Sequence, residues 1–266
     1  MLKTVLLLLL FIHPHAQAQE LSHEGFDNPA LYGGSMLTYT LWTTPANLGE
    51  PLNIIISNQS HPRVLEETMT EGGLYNYLEA AAFGAQCFGL HMGDKQQSNL
   101  GDGNKNQTQR SILRYQYFHN HFLGTCLESI YGGNHIRVFK QETTGAYFLS
   151  SSAEMDSSMN HKLGMNAYDA GRDLFVGNAT NIAIKGHLNT NTSFIGETSK
   201  RGWRYRTKVE YVDDLVPANR TKWNHYTGVQ AVGGEVSDGL VAVLTVQVTK
   251  DEPGLLGDPV WSALGM

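Results

Sequence analysis

Along residues 203–211 two kinds of side chain change places at every step. Trp203, Tyr205, Thr207, Val209 and Tyr211 hold one parity, and Arg204, Arg206, Lys208 and Glu210 hold the other. A β-strand, whose side chains project to opposite faces in turn, sorts such a run into one buried and one solvated side. Residues 240–248 alternate again, so the later chain reads as sheet. The earlier chain mixes periods. Residues 52–57 form a brief, Ile-rich run bounded by Pro51 and Asn58 and predict a buried strand. Ser60 as a cap, Pro62 in the first turn and the spacing of Val64, Leu65 and Met69 predict a helix that stops at Gly72-Gly73. Leu74, Tyr75, Leu78 and Ala82 resume a helical stripe that ends at Gly84, so one or two helices are expected here. Further expectations are a strand over 87–91, a surface loop over 94–108 and a strand over 112–118 with Tyr115 and Tyr117 on one face. A hairpin joins 135–140 to 146–151 through Glu142-Thr-Thr-Gly145, and a helix covers 167–178. Helices interleave with strands early and strands dominate late. The expected class is α+β, a single domain with a mixed β-sheet and two or three helices.

The 266 residues are 41% hydrophobic and 17% charged, which suits a packed core and excludes a disordered chain. Lys+Arg 19 against Asp+Glu 25 leaves a net charge of −6, so no nucleic-acid partner is expected.

The N-terminus points to export. Residues 4–12 are almost all apolar, Lys3 precedes them, and Ala16-Gln17-Ala18 supplies a small-x-small cleavage pattern. Residues 1–18 are therefore read as a signal peptide and 19–266 as the secreted domain; the apolar run is about half of what a bilayer helix needs. No later run reaches membrane length, so no membrane span is expected. Asn58, Asn106, Asn178, Asn191 and Asn219 each open an Asn-x-Ser/Thr sequon, of which about two to four are expected to carry sugar. Cys87 and Cys126 are the two cysteines, and an oxidising compartment favours joining them. The product is expected to be an extracellular monomer.

The chain lacks Gly-x-Ser-x-Gly, His-Glu-x-x-His, the phosphate-binding P-loop and the dinucleotide glycine fingerprint, and no cofactor is expected. Three polar constellations remain. His119 and His121 would share a face in an extended segment and, with His135 or His91, offer metal ligands; a solvated loop is the simpler reading. Arg204 and Arg206 lead a basic strand face, either merely solvated or a patch for an anionic glycan, phosphate or lipid headgroup. The third constellation is His135 and Arg137 on a strand, then His161, then Asp169, Arg172 and Asp173 on a helix face. A guanidinium between two carboxylates suits a structural clamp or a preorganised site, and the histidines titrate near neutral pH.

Pro51-Leu-Asn-Ile-Ile-Ile56, Gly132-Gly-Asn-His135-Ile-Arg137-Val-Phe139 and Asp169-Ala-Gly-Arg172-Asp173 resemble, in order, the motifs of the LssY C-terminal domain family. Asp94 through Gly103 with its Asn-Leu-Gly-Asp-Gly, Gly124-Thr-Cys126-Leu-Glu-Ser129 and Asp238-Gly-Leu-Val-Ala-Val-Leu-Thr245 are similar to segments of fungal secreted proteins of unassigned function. The resemblance spans roughly residues 34–250. It implies a compact α/β-type domain and carries no activity; bacterial members often accompany a membrane phosphatase domain, a lipid or envelope context. This chain has Gly171 where that helix motif commonly has Glu.

The leading expectation is a secreted, glycosylated binding or interaction protein at a cell wall, surface or host interface, its ligand unknown. The alternative is a secreted hydrolase using His135, His161 and Asp169 as acid/base groups oriented by Arg137 and Arg172. A metal-dependent version would recruit His119 and His121. The hydrolase requires that the His135 strand and the Asp169 helix converge.

Overall fold

The isoleucines after Pro51 lie at the centre of a large sheet, buried on both of its faces as their uninterrupted apolar run requires. The computed structural model describes residues 25–40, 48–89, 95–120, 123–218 and 237–250. The signal-peptide segment, His91, His121 and the Asn219 sequon lie outside them. In chain order the strands and helices are β1 (Leu37–Tyr39), β2 (Leu48–Pro51), β3 (Ile54–Ile56), α1 (Leu74–Ala80), β4 (Phe83–Gly84), β5 (Gln97–Asn99), β6 (Asn106–Thr108) and β7 (Ser111–Tyr115). There follow α2 (Gly124–Tyr131), β8 (Gly133–Lys140), β9 (Tyr147–Glu154), α3 (Ala167–Thr180), β10 (Ser193–Lys200), β11 (Trp203–Val212) and β12 (Val241–Lys250). The fold is α+β and mostly sheet.

Eight strands form one sheet in the order β10-β11-β12-β3-β9-β8-β7-β4. Only the β12–β3 pair in it is parallel, so the sheet is mixed. On one face, Ile54, Ile56, Ile136, Val138 and Leu149 pack beneath α1 and α3 through Leu74, Tyr77, Leu78, Phe175, Val176 and Ala179. On the other, Ile55, Phe139 and Phe148 pack with Phe26, Met36, Leu52 and Leu100. A second, four-stranded sheet, β2-β1-β5-β6, covers part of that face.

Several expectations change. Residues 94–108 are not a plain loop: β5 and β6 pair within them, because an Asn- and Gln-rich hairpin of three-residue strands shows no apolar period. Of the strand expected over 87–91, Cys87–Gly89 is a 3-10 turn, and residues 90–91 lie outside the described residues. The helix expected after Ser60 is one 3-10 turn, Pro62–Leu65, capped by His61, whose Nδ1 accepts from the Arg63 N–H at 3.3 Å. The strand expected over 112–118 ends at Tyr115, and Tyr117 sits in a 3-10 turn, although the two tyrosine rings still meet edge-on at 5.1 Å. Strand β10, unexpected from sequence, is an edge of the sheet with polar residues on both faces. The hairpin, α3 and the two alternating strands stand as expected.

Just before β3 begins, a side chain extends the sheet. The Asn53 amide accepts from the Ser151 N–H at 2.9 Å and donates to the Ser151 carbonyl at 2.8 Å, imitating a strand partner. It also donates to the Tyr168 carbonyl at 2.9 Å, tying the start of α3 to β9. Asn134 completes the seam by donating to the Gly171 carbonyl at 2.8 Å. Helix and strand lie so close that a Cβ on Gly171 would stand 2.7 Å from Ser152 N and Cα, which bars the Glu of the resembled motif.

Candidate functional site

The polar residues singled out in the sequence separate into two networks and one open cleft, and Asp238 of the second network also lines a cavity of about 380 Å3 with residues 213–218. The first network lies between the two sheets. Glu50, from β2, is fully buried and faces β8 and β9. Its Oε2 accepts from Ser150 Oγ at 2.9 Å and lies 3.3 Å from Arg137 Nε, while its Oε1 accepts from Gln96 Nε2 at 3.2 Å. His135 stands between two carboxylates, Nε2 at 3.6 Å from Glu50 and Nδ1 at 3.2 Å from Glu154. Glu154 also reaches His161 Nδ1 at 3.7 Å. Both ring nitrogens of His135 and Nδ1 of His161 are buried without a hydrogen bond inside the protein. Burial opposes charging His135, but Glu154 and Glu50 outweigh it and raise its pKa. Nearby, Arg114 meets the fully buried Glu128 at 2.7 Å.

The second network surrounds Arg172, which is 1% exposed. Its guanidinium donates to Asp173 at 2.8 Å, to both oxygens of Asp238 at 2.6 and 3.0 Å, and to the Leu240 carbonyl at 2.8 Å. It also lies over the Tyr211 ring, 5.4 Å from its centroid and inside the roughly 6 Å reach of a cation–π contact. Asp169 is 3.6 Å from Arg172 and accepts from the Asp238 N–H at 3.0 Å on both oxygens. Burial and the neighbouring Asp238 carboxylate push Asp169 up to about 7, whereas the bidentate guanidinium holds Asp238 below the usual carboxylate range despite its own burial. This arrangement fastens α3 to the entrance of β12.

The expected groups therefore assemble in two sets. His135, Arg137 and His161 share Glu50 and Glu154; Asp169, Arg172 and Asp173 share Asp238. No ion pair or hydrogen bond among the described residues joins His135 to the helix triplet. Glu50, Glu154 and Asp238 escaped sequence reasoning. The one usable signal was on β9, where Ser150 and Ser152 keep the parity of His135 and Arg137 and mark that face as polar.

The cleft, about 510 Å3, opens between α3, β10 and the turn carrying His119. Asn178, Asn181, Glu197, Thr198, Ser199, His119 and Arg204 line it. Two groups from separate expectations thus meet, His119 from the histidine pair and Arg204 from the basic strand. Arg204 pairs loosely with Glu197 at 3.9 Å, both side chains about half exposed, and such a pair is worth little. Asn178 Nδ2 and Thr198 Oγ1 have no hydrogen-bond partner in the protein. Arg206 and Lys208 follow Arg204 on the exposed face of β11, with Trp203, Tyr205 and Thr207 buried behind them.

Asn178 lies within α3 with its amide nitrogen buried, and the Thr180 hydroxyl of the same sequon donates to the Val176 carbonyl at 2.8 Å. Asn58, Asn106 and Asn191 are exposed. Cys87 and Cys126 form a disulfide. Among the described residues, no group of three or more His, Cys, Asp or Glu is placed to hold a metal ion, and no helix is long and apolar enough to cross a membrane.

A scan of family models, a search of curated proteins and a search of solved structures each found no match for this chain.

Proposed function

We propose that the protein is a secreted, glycosylated binding protein of a cell wall, surface or host interface, and that it takes an anion-bearing polar ligand in the cleft beside Arg204. The observation that carries this reading is the meeting of Arg204 and His119 at a 510 Å3 opening lined by amides and hydroxyls. Such a lining offers many hydrogen bonds and a cation for a carboxylate or phosphate. The buried cations Arg172 and Arg114 are committed: Arg172 spends its donors on Asp173, Asp238 and Leu240, and Arg114 faces Glu128. The disulfide and the N-terminal leader pattern support the extracellular setting.

Hydrolysis by His135, His161 and Asp169 draws less support, because His135 is 2% exposed and Asp169 belongs to the other network. The test is titration calorimetry with uronate oligosaccharides, matched neutral oligosaccharides and glycerol phosphate. Binding of an acidic member, weakened roughly tenfold or more by Arg204→Ala at unchanged melting temperature, is expected. No binding by any member, or equal binding by the variant, overturns the cleft as the site.

A further inference from the structure

Strand β10 leaves one long edge of the larger sheet open. It runs in unbroken register with β11 from Ser193, opposite Glu210, to Lys200, opposite Trp203, and among the described residues no strand pairs with its other side. The far edge of the same sheet, β4, is only two residues long. A row of unpaired N–H and C=O groups templates a further strand, and natural sheets blunt such edges with proline, a bulge, a charge or brevity. β10 has neither proline nor bulge, and the one charge on its exposed parity is Glu197.

The turn after β10 fixes which groups face outward. Arg201 and Gly202 hold left-handed backbones, φ 49° and 85°, the two-residue hairpin turn whose flanking residues, here Lys200 and Trp203, form a hydrogen-bonded pair. Bonded and non-bonded pairs alternate from there. Thr198, Gly196 and Phe194 therefore spend their backbone groups on β11, and Ser199, Glu197, Ile195 and Ser193 point theirs away from the sheet. These four are the exposed residues of the strand, and no hydrogen bond among the described residues joins their outward groups to another segment. Glu197, Thr198 and Ser199 also line the cleft, which keeps the space beside this stretch of edge clear.

The charges beside the edge define the strand that fits it. Arg204 lies opposite Ser199, Arg206 opposite Glu197 and Lys208 opposite Ile195, all on the open face. Lys208 is paired with Glu210 at 2.9 Å and Arg204 only loosely with Glu197, while Arg206 forms no ion pair among the described residues. The acids of this face are Glu197 and Glu210; Asp213 and Asp214 follow the end of β11. A strand added to β10 would stand two strand spacings, about 10 Å, from β11, a gap that a glutamate and an arginine side chain span between them. Its residue opposite Ser199 would face Arg204 and favour a carboxylate. The one opposite Glu197 would favour an ammonium, and the one opposite Ile195, 52% exposed, a β-branched apolar side chain.

We propose that the β10 edge takes an extended segment of a partner polypeptide as an added strand, with a carboxylate toward Arg204, an ammonium beside Glu197 and an aliphatic side chain on Ile195. Ile195 and Arg206 lie outside the cleft lining, so the edge stands as a site whether or not the cleft binds a ligand.

The test is fluorescence anisotropy of the full chain with labelled Thr-Glu-Thr-Lys-Thr-Val-Thr, with the same residues in reverse order for the other strand direction, and with both peptides after exchange of Glu and Lys. At least one direction should bind, and exchanging its two charges, which leaves composition and net charge unchanged, should weaken it roughly tenfold. Ile195→Pro removes one outward N–H and no bond to β11, so it should keep the melting temperature and bind roughly tenfold or more weakly. Were it to melt lower, Glu197→Lys serves in its place and should erase the preference between the exchanged peptides. No binding in either direction, equal binding of the exchanged peptides, or a variant that behaves as the wild type overturns the proposal. So does a wild-type dimer that Ile195→Pro converts to monomer, which would make β10 a self-association edge.

Discussion

The Arg172 cluster and the His135 cluster contain the same ingredients, a buried cation among carboxylates, and differ in how completely they are bonded. Around Arg172 the carboxylates and a backbone carbonyl receive hydrogen bonds at 2.6 to 3.0 Å. Around His135 the nearest oxygens lie at 3.2 and 3.6 Å and neither ring nitrogen is hydrogen-bonded. A planar guanidinium with a fork of donors can match three acceptors at once; an imidazole has two nitrogens on a rigid ring held by its strand. The first arrangement locks one geometry. The second stays dependent on a proton, since a neutral ring would face two carboxylates with little to offer either. A buried charge cluster therefore reveals its role through bonding, not through composition.

The largest effect should come from breaking the complete cluster. Arg172→Ala leaves Asp169, Asp173 and Asp238 crowded without their cation, and removing one partner of a buried pair costs about 3–5 kcal/mol. Urea unfolding should show that loss; a loss near that of a surface change, about 0.5 kcal/mol, would mean the clamp does not hold α3.

Next comes the incomplete cluster. Because its neighbours raise the His135 pKa above the unfolded value of 6.5, its contribution is fully present below pH 6.5 and fades as pH rises through the folded value. Stability measured from pH 6 upward should fall in the wild type and hold more nearly level in His135→Gln. Parallel profiles would show that His135 does not carry the charge assigned to it.

A further test sharpens the contrast within the complete cluster. Asp169 titrates at about 7 in the fold against 3.8 as its ordinary value, so ionising it opposes folding, and stability should drop as pH rises from about 4 to 7. Asp169→Asn should match the wild type at pH 4 and exceed it at pH 8 in chemical denaturation. A variant that is weaker at pH 8 would show that the ionised carboxylate is needed to receive the Asp238 N–H.

Some of this was legible beforehand. Arg204, Arg206 and Lys208 face solvent as their alternation requires, and α3 places Asp169, Arg172 and Asp173 on neighbouring turns as helical spacing requires. Helix α2 was not read, because Gly124-Thr-Cys126-Leu-Glu-Ser129 carries too few apolar residues to announce a helix. The hairpin of β5 and β6 escaped for the same reason.

What the sequence determined by itself was whatever repeats every two residues or every three to four: the strands at 203–212 and 241–250, the β8–β9 hairpin, and α3 with its charged face. Such patterns are local, because each follows from the geometry of one element. Only the tertiary structure decided the partners. Asp238 lies 66 positions from Arg172, and Ser150 lies 100 from Glu50. Attraction between charges depends on separation in space, and the folding of the sheets rather than the order of the chain sets which charges become neighbours.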